Sequence, residues 1–203
     1  MKIKTRFTVI ALSLLSAPLS AAPIIYLDFD GDGLQDTAYD AVIGESVTAS
    51  LYVTNVDNVH GGLQGWGAAF NFDQTSLFVN SYTLDSSWMI PGRNNLFDNS
   101  NGTIELLAST ILAGQTGTVK LVDIHFDTLA EGTSTLALSE LYPASVNFTG
   151  FGGADGYDYD AEILFANADA TINVSAVPLP APLLLLLSGL IGLSGFMRFN
   201  NKA

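Results

Sequence analysis

The sequence predicts an all-β domain, a sandwich or a barrel, on three observations. Apolar and polar residues alternate over several short stretches. Turn residues punctuate those stretches at Asp57-Asn58, Gly61-Gly62, Pro91-Gly92, Asn99–Gly102, Gly114–Gly117 and Gly150–Gly156. Between the two ends of the chain there is almost no helical apolar period. Many short strands separated by turns bury their apolar faces by packing sheet on sheet or by closing on themselves.

The elements follow in order. Val47–Asn55 alternates, with Val47, Ala49, Leu51 and Val53 on one face, as in a half-buried strand. Trp66–Phe72 is aromatic and small, with Ala68, Phe70 and Phe72 in phase. Thr103–Leu112 is the next strand. Thr118–Asp127 starts with Val119 and Leu121 in phase, then shifts to Val122, Ile124 and Phe126. A phase change inside one strand predicts a β-bulge. Thr133–Leu138 and Glu162–Val174 complete the set.

The charge is segregated. The 203 residues carry seven bases and twenty acids, yet the chain is hydrophobic on average. Five bases lie at the ends: Lys2, Lys4, Arg6, Arg198 and Lys202. All the acids lie between Asp28 and Asp169. Residues 23–176 therefore hold only Arg93 and Lys120 against twenty acids, a formal charge of −18. Such a domain repels nucleic acid, because phosphate contacts need clustered Lys and Arg. There is no Cys, which excludes disulfides, thiolate metal sites and a Cys nucleophile. At this length the domain buries a sufficient core without disulfides.

Residues 1–22 read as a signal peptide: a basic start, the apolar run Phe7–Leu15, then small residues up to Ala22. Residues 177–203 form a tail. Its segment 183–197 is uncharged and almost wholly apolar, about 22 Å long as a helix. Counted from Val177 the helix reaches about 31 Å, enough for a ~30 Å hydrocarbon core. Arg198 and Lys202 would then stay on the cytoplasmic side. The order Val177-Pro178-Leu179-Pro180-Ala181, apolar segment, short basic end resembles the PEP-CTERM class of bacterial sorting signals. That resemblance implies recognition by a membrane-embedded exosortase and delivery to the cell surface or extracellular matrix. This chain departs from the pattern in lacking a Glu between the prolines and in carrying only two separated basic charges at the end. A plain permanent anchor is the rival reading of the tail.

The middle segment is similar to cohesin domains, which are jelly-roll β-sandwiches. The resemblance rests on Val42-Ile-Gly-Glu-Ser-Val-Thr, then Leu51–Val56, then Gly62–Asp73 with its Phe72-Asp73 pair followed by Ser76-Leu-Phe-Val, and on Gly117–Asp127 closing at Phe126. It spans roughly residues 25–174. It implies a non-catalytic module that binds a dockerin-like protein through one face of the sandwich. Related folds bind polysaccharide.

The sharpest local signal is Asp28-Phe-Asp-Gly-Asp-Gly-Leu-Gln-Asp36. Counted from Asp28, acids fall at loop positions 1, 3, 5 and 9, with Gly33 at position 6 and the Leu34 carbonyl at position 7. This is the spacing of a Ca²⁺ loop, in which alternate carboxylates turn hard oxygens toward one centre. Position 12, where a bidentate Glu is expected, is Tyr39. Asp40, or the distant Asp155, Asp158 and Asp160, are candidates for the missing ligand. No helical pattern precedes the loop.

Nothing in the sequence marks an enzyme. His60 and His125 are the only histidines, and neither a Gly-x-Ser-x-Gly elbow nor a His-Glu-x-x-His pair is present. His125 reads as the outward residue of a strand and His60 as a turn residue. A glycosidase needs only two acids at the right separation, and no pair stands out. Trp66, Trp88, Tyr82 and Tyr142 are the rings a carbohydrate reading would use for stacking, although a sandwich more often buries such rings. The favoured expectation is an exported surface or matrix adhesion or scaffold protein. A carbohydrate-binding matrix protein and a secreted polysaccharide hydrolase are the alternatives.

Overall fold

The computed structural model describes residues 21–92, 95–141, 150–160, 162–163, 165–178, 185–186 and 188–189. It is a sandwich of two sheets. The strands are β1 (Ile24–Asp28), β2 (Ala38–Val42), β3 (Ser46–Val56), β4 (Leu63–Asn71), β5 (Leu77–Leu84), β6 (Ile90–Pro91), β7 (Leu96–Asp98), β8 (Thr103–Ser109), β9 (Gly117–Thr128), β10 (Gly132–Glu140), β11 (Gly152–Gly153) and β12 (Ala170–Ser175). One sheet has the order β1-β3-β9-β5. The other runs β2-β12-β10-β4-β8-β6, with β7 also on β8 and β11 also on β4. β12 pairs β2 in parallel, and the other pairings are antiparallel.

The core forms where the alternation predicted it. Val47, Ala49, Leu51 and Val53 are buried along β3, and Trp66, Ala68 and Phe70 along β4. In β9 the register runs Leu51↔Val122 and then Tyr52↔Lys120, so Leu121 has no partner on β3. That is the bulge the phase change implied, and it lets Leu121 and Val122 both point inward and be buried. Thr128 closes the end of the sandwich. Its hydroxyl donates to the Val42 and Glu45 carbonyls at 2.7 and 3.0 Å.

The stretch Glu162–Val174 is not one strand. A 3₁₀ helix occupies Phe165–Ala168, and the strand begins only at Ala170. The cause is local. The Leu138 amide donates to Asp169 Oδ1 at 2.9 Å, so an Asp side chain occupies the place where a ladder carbonyl would stand. Phe165 packs edge-on against Phe151 at 5.8 Å.

Residues 1–20 of the expected signal peptide and Leu179, Pro180 and Ala181 of the sorting motif lie outside the described residues. Val177 and Pro178 are exposed. Of the segment 183–197, residues 185–186 and 188–189 are helical and exposed, and the remainder lies outside the described residues. Among the described residues no helix is long and apolar enough to cross a membrane.

Candidate functional site

The acidic loop is the crossover between the sheets. β1 ends at Asp28 in the four-stranded sheet, and β2 begins at Ala38 in the other. Asp28 is wholly buried and winds the loop around itself. Its Oδ1 accepts from the amides of Asp30 and Gly31 at 3.2 and 2.7 Å, and its Oδ2 from Gly33 at 2.9 Å. Gly31 and Gly33 sit at φ 79° and 81°, which only Gly adopts without strain. The Tyr26 hydroxyl donates to the Gly33 carbonyl at 2.9 Å. Asp36 Oδ2 accepts from the Phe29 amide at 2.8 Å and so faces back into the loop.

This winding brings one oxygen each from Asp28, Asp30 and Asp36 within 4.8 Å of one another. Three convergent carboxylates suit a hard cation, with backbone carbonyls and water completing the six to eight oxygens that Ca²⁺ takes. The other expected carboxylates do not join them among the described residues. Asp32 Oδ1 accepts from the Leu34 amide at 2.8 Å. Asp40 is on β2, where its Oδ1 accepts from Asn173 of β12 at 2.9 Å, so the parallel pairing turns it away. Asp155, Asp158 and Asp160 are also outside the group.

The outer face of the eight-stranded sheet carries a groove. Its floor is Gly65 on β4, and its walls are Leu107 and Ser109 on β8, Ile90 and Pro91 on β6, and Gly150. The volume is ≈ 330 Å³. A second depression shares Gly65 and Ser109 and extends to Gln64, Ile111 and Gly153. Among the described residues no lining residue is charged, in a domain of formal charge −18. Exposed apolar side chains cluster at this edge: Met89, Ile90, Leu96, Phe97, Ile111 and Leu112, with Ile111 69% exposed.

Comparison with known proteins bears on what this arrangement is. No family model and no curated protein matches the chain. Solved structures do. A non-cellulosomal cohesin from the hyperthermophilic archaeon Archaeoglobus fulgidus matches with a TM-score of 0.55 at 13% identity, covering 76% of this chain and 92% of that one. The seventh ScaB type I cohesin from Pseudobacteroides cellulosolvens matches with a TM-score of 0.53 at 17% identity, covering 79% and 97%. A type I cohesin–dockerin complex from Clostridium thermocellum contributes a chain with a TM-score of 0.55 at 10% identity, covering 76% and 99%.

The fold is cohesin-like. At these identities the likeness is one of fold alone.

The cohesin-like core explains where the aromatic candidates went. Trp66 is 0% and Trp88 4% exposed, and their rings meet edge-on at 6.2 Å inside the sandwich. Trp88 Nε1 donates to the Lys120 carbonyl at 2.9 Å. Neither offers a face to a sugar, because Trp66 shares the inward phase of Ala68 and Phe70. His125 points outward as expected and lies 3.0 Å from Thr48 Oγ1 through Nδ1. His60 does more than fill a turn. Its ring stacks on Tyr157 at 3.5 Å, and its Nδ1 is 3.1 Å from Asp155 Oδ2. That contact spans 95 residues of sequence and had no local signal.

Proposed function

We propose that this is an exported, non-catalytic protein-binding module, a surface or matrix scaffold component that takes a dockerin-like partner in the groove over Gly65. The groove carries the reading. Its described lining is uncharged and apolar-rimmed in a strongly acidic domain, and it lies on a sheet face whose central residues are small. Uncharged grooves beside exposed aliphatic side chains are where association removes apolar area from water without stripping charges of their hydration. The fold agrees, since structures of similar fold include a cohesin–dockerin complex. The acidic remainder of the surface favours a partner with basic residues around an apolar knob.

Two further parts belong to this reading. The loop Asp28–Asp36 holds Ca²⁺ through Asp28, Asp30 and Asp36, where the ion ties the crossover between the sheets. The tail directs the protein to an exosortase-type enzyme, with a transient or permanent membrane anchor, and so to the cell surface or matrix.

A pull-down from a panel of dockerin-bearing proteins, using the 203-residue chain as bait, tests the partner class. Saturable capture that Ile111→Asp abolishes is the expected result. Capture of no panel member, or capture indifferent to Ile111→Asp, contradicts it.

A further inference from the structure

The sandwich has a long axis, and the groove and the exit of the chain lie toward opposite ends of it. β12 finishes at Ser175, which pairs with Val42. The Ile43 amide donates to the Ser175 carbonyl at 3.0 Å, and Thr128 holds Val42 and Glu45 beside it. On the next strand Gly132 stands opposite Val174. The chain therefore leaves at this end, where Asp40 and Glu131 are exposed. From Gly132, β10 runs eight residues away from the exit to Glu140, which faces Ala68 of β4. Gly65 lies three residues further in the same direction. At about 3.3 Å per residue, the groove floor stands about 36 Å from the level of the exit. The start of the domain is at the groove end as well. Ile24 pairs with Thr54, and the Asn55 side chain donates to the Ala22 carbonyl at 3.3 Å. These residues lie far along β3 from Ser46, which pairs with Asp127 beside Thr128 at the exit end.

We propose that the tail presents the groove at the end of the domain far from the membrane, so that its partner is a soluble or opposing-surface protein and not one embedded in the same bilayer. This rests on the tail being an anchor and on the groove being the binding face.

The tether is shorter than the domain. Seven residues separate Ser175 from residue 183, where the apolar segment begins, and three of them are Pro. Fully extended, the connection reaches at most about 28 Å. That is less than the ~36 Å between exit and groove, so the sandwich cannot turn over and set the groove on the lipid beneath the exit. Lying flat is opposed by charge, because anionic headgroups repel a domain of formal charge −18. Retention of the N-terminal apolar segment would undo the arrangement. Ala22 is at the groove end, and an anchor there would draw that end to the bilayer. Loss of the signal peptide is thus part of how the groove is presented.

The chain has no Cys, so one introduced thiol is a unique labelling point. Leu112→Cys marks the groove end and Glu131→Cys the exit end, and both positions are exposed. The protein isolated after export is placed in vesicles of phosphatidylcholine and phosphatidylglycerol that carry a nitroxide on the headgroup of a tracer lipid. The protein should float with the vesicles, and a fluorophore at position 131 should be quenched several-fold more than one at position 112. Equal quenching means that the domain lies flat, and stronger quenching at position 112 means that the groove faces the lipid. Either result overturns the proposal. Failure to float with the vesicles overturns it through the tail. Quenching in the expected order, with no dockerin-bearing panel member captured, would sink the binding reading and leave the orientation standing.

Discussion

The two outer faces of the sandwich solve the same problem in opposite ways. The face of β1-β3-β9-β5 satisfies itself. Ser46 donates to Asp127 at 2.8 Å and Asn80 to the same carboxylate at 3.2 Å. Ser50 donates to Asp123, which also pairs with Lys120 at 2.7 Å. Tyr26 stacks on Tyr52 at 5.4 Å, and Lys120 Nζ lies 5.8 Å from the Tyr52 centroid. The face around β4 and β8 has Gly65, Leu107 and Ser109 instead, with no charge among the described residues of its groove. A polar ladder that already holds its own partners gains little from a second protein. An uncharged trough with aliphatic edges gains the burial of its apolar area.

The largest perturbation removes the layer both faces stand on. Trp66→Ala should cost roughly 3–5 kcal/mol, because the ring is fully buried between the sheets and leaves a cavity. Denaturant unfolding reads it, and loss of both faces together is the expected outcome. Calcium should act next, on the crossover that joins the sheets. Saturation at about a hundred times its Kd adds about 2.7 kcal/mol of stability. Thermal melts with and without Ca²⁺ measure this. Asp30→Asn, at an exposed residue of the proposed Ca²⁺ loop, should erase the shift without lowering the ion-free midpoint. The smallest effect belongs to the polar ladder. Ser50→Ala should lower stability by about 1 kcal/mol, the usual worth of one such hydrogen bond, and leave partner binding unchanged.

The contrast also separates what the sequence discloses from what it does not. The β3 face was legible because four apolar residues alternate over a long strand. The bulge was legible because Leu121-Val122 breaks the phase. The acidic loop was legible because its carboxylates, glycines and backbone amides act within nine consecutive residues. The groove was not. It is assembled from β4, β6, β8 and Gly150, and its floor is a glycine, which in sequence reads as a break. Nor were β6, β7 and β11, since two or three residues hold no period. Trp66 stands in the phase of Ala68 and Phe70, so its inward direction was legible, whereas Trp88 lies in no alternating stretch. His60 and Asp155 meet because β11 pairs with the start of β4, a fact of topology rather than of spacing. Asp40 went astray for the same reason: its parallel neighbour on β12 supplies Asn173.

The groove, not the polar ladder, is the proposed binding face. Isothermal titration of a captured dockerin-like partner into the 203-residue chain compares Leu107→Asp with Ser50→Ala directly. Leu107→Asp should weaken binding about 100-fold or more, as loss of a central apolar anchor does, with unchanged circular dichroism. Ser50→Ala should bind like the wild type. The opposite order, tight binding by Leu107→Asp and loss with Ser50→Ala, would place the partner on the other sheet and contradict the account.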